Sequence, residues 1–212
     1  MVLNLTKYGG KAVNMTVKAV DMVGYESPET CIGMFNVPEG EWYPIQLYKG
    51  WNLVSLPIVP ANSSIENVLS LLLKEGLLES VWTYDAETKT WYSYASGAPS
   101  DLKTMVDGKG YYIKMKDNDV LIISGTEMRL SGPPPCYKLA KGWNLIGFTS
   151  TQIRTLSEYL ASIDNTGFYH FIFTWDTSQQ GWKMIDMQKG VLKPGQAFWI
   201  CMYEEAVLIP PP

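Results

Sequence analysis

Two spacings of apolar residues alternate along the chain. Ile65, Val68, Leu69, Leu72 and Leu73 recur at intervals of three and four, which places them on one face of a helix, and Gly76 supplies its stop. Ser63 and Glu66 precede them in the Ser-x-x-Glu order of a capping box, whose hydroxyl and carboxylate satisfy backbone donors left open at a helix start. Leu156, Tyr159, Leu160 and Ile163 repeat the stripe, with Thr155 and Glu158 as the box. Elsewhere the interval is two, the rhythm of a strand: Tyr111, Ile113 and Met115 point one way, Tyr112 and Lys114 the other. The segment from Val13 to Asp21 alternates likewise. Further strands are expected from Gly50 through Leu56, over Val120 to Ile123 and over Val207 to Ile209.

These elements come as two copies. Lys49-Gly50-Trp51-Asn52-Leu53-Val54-Ser55-Leu56 returns as Lys141-Gly142-Trp143-Asn144-Leu145-Ile146-Gly147-Phe148. Val81-Trp82-Thr83-Tyr84-Asp85 and Trp91 return as Ile172-Phe173-Thr174-Trp175-Asp176 and Trp182. Gly108-Lys109-Gly110-Tyr111-Tyr112-Ile113 returns as Gly195-Gln196-Ala197-Phe198-Trp199-Ile200. The offset falls from 92 through 91 to 87, as expected where loops, rather than strands, lose residues. Each copy holds two short aromatic strands joined by a polar turn, with Asp85 and Asp176 suited to bind their own turn backbone. The expected fold is α+β and β-dominated: two tandem homologous repeats, each a small, mostly antiparallel sheet with one packed helix. A β segment over 1–38 precedes repeat one (39–134) and repeat two (135–212), and Ser131-Gly132-Pro133-Pro134-Pro135 forms a stiff spacer near the boundary.

A formal charge of −4 over 212 residues removes the usual signature of a nucleic-acid or anionic-membrane partner. With 13 Tyr and 8 Trp against 6 Phe, the aromatic content is of the amphipathic kind that fills half-exposed sheets and contact surfaces. Three cysteines are too few for a disulfide framework; a Cys31–Cys136 bridge and three unpaired thiols stand as equal alternatives. No apolar run reaches the length of a transmembrane helix, and Met1 to Lys7 lacks the features of a secretion signal, so any signal or anchor is expected outside this chain.

Catalytic templates fit poorly. His170 is the single histidine and reads as structural, and Gly108-Lys109-Gly110 reads as a tight turn rather than a phosphate cradle. Glu204-Glu205 and the Asp117-Asn118-Asp119 run sit in turns, where acidic groups are solvated; calcium at the latter is a minor alternative. The expectation is therefore no catalytic residue, no metal and no cofactor. Asn4, Asn14 and Asn62 head glycosylation sequons. Trp51 and Trp143 are expected to be structural anchors whose indoles plug the open end of the sheet, with Asn52 and Asn144 tying down an adjacent turn.

Two resemblances bear on function. The Val-x-Ala-x-Asp-x-x-Gly phrase ending at Gly24 is similar to the last strands of immunoglobulin-like modules of microbial surface proteins. The phrase from Lys49 to Pro57, then Val81 to Tyr94, then Gly108 to Met115 resembles a repeat of archaeal and some bacterial cell-surface and S-layer-associated proteins, over about 47–125 and more loosely 138–209. Repeat two departs from it at Gly147 and Ala197. The resemblance implies an extracellular, non-catalytic structural or adhesive module whose partners are other surface-protein copies or envelope glycans. The alternative is a carbohydrate-binding module, with Trp91, Tyr92, Tyr94 and Trp182 exposed to stack on sugar rings beside Asp85 or Asp176. A hydrolase acting on surface polymers stands third.

Overall fold

The computed structural model describes residues 12–17, 30–36, 41–127, 134–164 and 169–211, with side chains from Trp42 onward except Asp164 and His170. Asn4, the Ser131-Gly132-Pro133 part of the spacer, and the side chains of Asn14, Cys31 and His170 lie outside the described residues. The chain divides into two compact units, 1–42 and 43–212. In the first, β1 (Ala12–Val17) pairs antiparallel with β2 (Thr30–Asn36), with a register shift at Met15/Thr16.

The second unit holds both repeats. Repeat one runs β3 (Glu41–Leu47), β4 (Gly50–Val54), β5 (Val59–Pro60), α1 (Ile65–Val68), α2 (Ser70–Lys74), β6 (Leu78–Asp85), β7 (Thr90–Tyr94), β8 (Tyr111–Met115) and β9 (Asp119–Thr126). Repeat two runs β10 (Tyr137–Leu139), β11 (Gly142–Gly147), β12 (Arg154–Thr155), α3 (Leu156–Tyr159), α4 (Ala161–Asp164), β13 (Tyr169–Asp176), β14 (Gly181–Met184), β15 (Val191–Leu192), β16 (Ala197–Met202) and β17 (Ala206–Leu208). With 48% strand and 10% helix, the fold is β-dominated. The main sheets have the same antiparallel order, β4-β8-β6-β7 and β11-β16-β13-β14. Equivalent residues also hold equivalent registers: Val54 faces Tyr111 as Ile146 faces Phe198, and Tyr84 faces Trp91 as Trp175 faces Trp182.

Alternation in these strands sends one set of side chains inward. Val54, Val81, Tyr111, Ile113 and Met115 meet Leu56, Ile65, Leu69 and Leu72 in one core, and Ile146, Ile172, Phe198, Ile200 and Met202 meet Phe148, Leu156, Tyr159 and Leu160 in the other. Asn52 and Asn144 are buried at the strand entrances, as the sequence suggests. Each side-chain amide donates to carbonyls four and two residues back (Tyr48 and Gly50; Ala140 and Gly142) and its oxygen accepts the N–H of Tyr48 or Ala140. Asp85 and Asp176 bind their own turns through Oδ1, and Lys89 and Gln180 close those turns with positive φ.

The expected single helix is instead two short turns per repeat, interrupted at the fully buried Leu69 and Leu160. The Thr155–Glu158 box is formed, but Ser63 and Glu66 make none: the N-cap is Ser64, without a side-chain bond. The difference is one of register: the helix starts one residue later than Ser63 would set it, so the position that Glu158 fills in repeat two falls on Asn67 rather than Glu66. The larger fall in offset, from 91 to 87, lies between β7 and β8. There the longer loop of repeat one returns along the sheet edge, where Ser93 N donates to Asp101 Oδ1 at 2.6 Å and Ser93 O accepts from Leu102 N at 3.0 Å.

The repeats meet about a local two-fold axis. Ser55 N donates to Gly195 O at 2.9 Å while its equivalent, Gly147 N, donates to Gly108 O at 3.0 Å, and the bridges Val54–Gln196 and Ile146–Lys109 are likewise exchanged equivalents. Such reciprocity is the mark of an isologous interface. Leu53, Leu145 and Ala197 form a third core there, flanked by Tyr84, Tyr112, Trp175 and Trp199. On the axis Trp199 Nε1 donates to the hydroxyl of its own equivalent, Tyr112, at 2.8 Å. The axis also explains where repeat two departs from repeat one. A Cβ on Gly147 would fall 2.7 Å from that of Ser55, and one on Gly110 would fall 3.0 Å from that of Ala197, so only one member of each pair carries a side chain.

Candidate aromatic binding site

Residues that point away from the two cores make the outer faces of the main sheets. In repeat one these are Trp51, Ser80, Trp82, Tyr84, Trp91, Ser93, Tyr112 and Lys114; their equivalents in repeat two are Trp143, Phe171, Phe173, Trp175, Trp182, Met184, Trp199 and Cys201. The two faces meet at the axis and stay open beyond it. Tyr84, Trp91, Trp143, Phe173, Trp182 and Trp199 border a shallow cleft of about 600 Å³. Trp91, Trp143 and Trp182 are 44%, 43% and 56% exposed, while Trp199 sits half-buried among them. The rings are mutually inclined: Trp199 stands 5.3 Å from Tyr84 at 44°, 5.9 Å from Trp91 at 57° and 6.3 Å from Trp143 at 82°.

Of the residues expected to stack on a ligand, Trp91 and Trp182 lie on this cleft. Tyr92 and Tyr94 do not, and the expectation that they are exposed is corrected: alternation along β7 turns both toward the core of repeat one, against which they pack. Asp85 and Asp176 spend Oδ1 on turn N–H groups, which hold both carboxyls below the usual range; for Asp85 the Thr88 N–H is the largest cause, for Asp176 the Ser178 hydroxyl. They shape the hairpins that carry Trp91 and Trp182. Asn62 is exposed, and its Oδ1 accepts from Ser64 N.

Trp143, a structural anchor by its place after Gly142, is an open wall of the cleft; Tyr84, Phe173 and Trp199 complete the walls. The signal that could have found them is the alternation that puts Tyr112, and hence its equivalent Trp199, opposite the core-facing residues. Trp51 is half-buried. Its N–H donates to Gln180 Oε1, its carbonyl accepts from Trp175 Nε1, and Lys114 Nζ lies 5.7 Å from its ring centre. Glu79 holds that ammonium at 2.8 Å. In repeat two the positions of Lys114 and Glu79 are taken by Cys201 and His170.

No group of three or more His, Cys, Asp or Glu is placed to hold a metal among the described residues, and Asn118 Oδ1 accepts the Lys49 N–H. Among the described residues, Cys136 and Cys201 are free thiols. No described helix is long and apolar enough to cross a membrane. Burial raises the Tyr112 hydroxyl to about 12 despite the bond it accepts from Trp199. Compared with known proteins, the chain matches no protein-family model, no curated protein and no solved structure, so its own geometry is what bears on its function.

Proposed function

We propose that residues 43–212 form a non-catalytic recognition module of the structural or adhesive kind displayed at a cell surface, engaging its ligand through the outer aromatic face centred on Trp199. The observation that carries this reading is the cleft itself, in which six aromatic side chains from both repeats converge and three indoles remain open to water. Exposed apolar surface gathered in one place, on a body otherwise packed around its own cores, is characteristic of an interaction site. The extracellular setting comes from the resemblance of the repeat. Envelope glycans are a second reading, favoured by Trp91 and Trp182, whose open indoles can stack on the apolar face of a sugar ring.

The test is retention of the purified protein on isolated cell-envelope material and on a glycan array. Trp143→Ala and Trp182→Ala are expected to lower retention at least tenfold with an unchanged melting midpoint. Retention that is indifferent to both substitutions would overturn the reading.

A further inference from the structure

The two repeats are an internal control for each other, and they differ at the tryptophan that follows Gly50 or Gly142. In repeat one Lys114 places its ammonium over Trp51, and Glu79 accepts a hydrogen bond from it. In repeat two the residue directly across the ladder from Trp143 is Cys201, too short to cover the ring. The neighbouring outer positions change together: Ser80 becomes Phe171, Trp82 becomes Phe173 and Ser93 becomes Met184. This fold thus seats a cation on the indole in one copy. In the other, Cys201 and His170 stand in place of that cation and its carboxylate, and Phe171 adds a ring.

We infer that the cleft beside Trp143 binds a quaternary ammonium group, a cation that the ligand brings in place of Lys114. This rests on the recognition reading above and names the chemistry of that same face. Ring faces carry negative charge density and attract cations, most strongly where water is excluded. The cleft border is aromatic throughout, with no carboxylate among the described residues that form it. A primary ammonium has three donors to satisfy, and the described residues that border the cleft offer it no carboxylate such as Glu79 gives Lys114. An ammonium whose four substituents are carbon has no donor, and its methyl groups suit apolar walls. Ring inclinations of 44–82° about Trp199 suit a compact, rounded group better than a flat one.

The experiment titrates tetramethylammonium and choline into the protein, following tryptophan fluorescence and calorimetric heat, beside methylammonium and 3,3-dimethylbutanol, the uncharged isostere of choline. Saturable binding of the quaternary ions, at least tenfold tighter than either control, is expected. Cys201→Lys, which copies repeat one and leaves every ring in place, is expected to weaken it at least tenfold, Cys201→Ser to leave it unchanged, and Trp143→Ala to weaken it as Cys201→Lys does. Absence of saturable binding, equal affinity for the uncharged isostere, or indifference to Cys201→Lys each overturns the inference. Parallel arms with phosphatidylcholine against phosphatidylglycerol vesicles, and with a trimethyllysine peptide, identify the source of the group. Envelope retention that depends on Trp143 while tetramethylammonium fails to bind would sink this inference and spare the recognition reading; retention indifferent to Trp143 and Trp182 would sink that reading.

Discussion

On the outer face of the repeat-one sheet stand Ser80, Ser93 and Lys114, where the repeat-two sheet carries Phe171, Met184 and Cys201. Their inner faces barely differ: Val54 and Ile146, Tyr111 and Phe198, Ile113 and Ile200, Met115 and Met202 occupy matching buried places. One scaffold has therefore been kept twice for packing, while three positions of its aromatic outer side have changed from polar or charged to less polar residues. Core positions are constrained because close-packed interiors respond to a single methylene. Some outer rings, Tyr84, Tyr112, Trp175 and Trp199, pack on the third core and so serve folding; the open indoles of Trp91, Trp143 and Trp182 are the part of the cluster that packing leaves unexplained.

The largest expected effect tests whether the two cores are one folding body. Phe148→Ala and its counterpart Leu56→Ala each remove a fully buried side chain, and costs of about 3–5 and about 2–5 kcal/mol are expected. Because the third core joins the repeats, calorimetry should show one transition for 43–212 that moves down in both variants. Two separated transitions would break the comparison at its root.

Next is the axis. Gly147→Ser restores in repeat two the residue found in repeat one, and simple repeat logic makes it benign. Its Cβ would lie 2.5 Å from Lys109 O and 2.7 Å from Ser55 Cβ, so a loss of about 1–3 kcal/mol is expected from overpacking. Urea denaturation at wild-type stability would refute the two-fold contact.

A smaller effect concerns Tyr112, the counterpart of Trp199. Folding favours its neutral form, because burial lifts its hydroxyl from an ordinary value of about 10 to about 12. Its contribution is thus present in full below about pH 10 and is lost as pH rises from there through about 12. The urea midpoint should decline across that window, and less steeply in Tyr112→Phe; an equal decline would assign the alkaline loss elsewhere. The smallest effect sharpens the comparison of the anchors. Trp143→Ala is expected to change stability by less than about 1 kcal/mol, as open surface positions do. Trp51→Ala, whose ring is half-buried beneath Lys114, should cost more. Equal losses in thermal melts would mean that the two indoles have the same role.

Much of the architecture was readable before any coordinates, because its signals are local. The two-residue rhythm of Tyr111 to Met115, the turn aspartates, the Thr155 capping box and the asparagines after Trp51 and Trp143 each act within a few residues of themselves. The candidate site was less legible. The exposure of Trp91 and Trp182 is legible, whereas the inward turn of Tyr92 and Tyr94 is not, because a short aromatic strand does not announce which alternate residues face the core. The Ser63 box is absent for a reason of register: the helix has Ser64 as its N-cap, which puts Asn67 instead of Glu66 at the partner position.

Duplication, strand content, helix stripes and turn chemistry were thus settled by the chain's own order, since each depends on neighbours along it. What folding in three dimensions decided was how the copies meet. Only about the two-fold axis do Ser55 and Gly147, or Gly110 and Ala197, compete for one space, and only there do Trp91 and Trp199, 108 positions apart, come within 5.9 Å. Side-chain alternation tells which residues leave a core; whether they then meet water or one another depends on the surface brought against them.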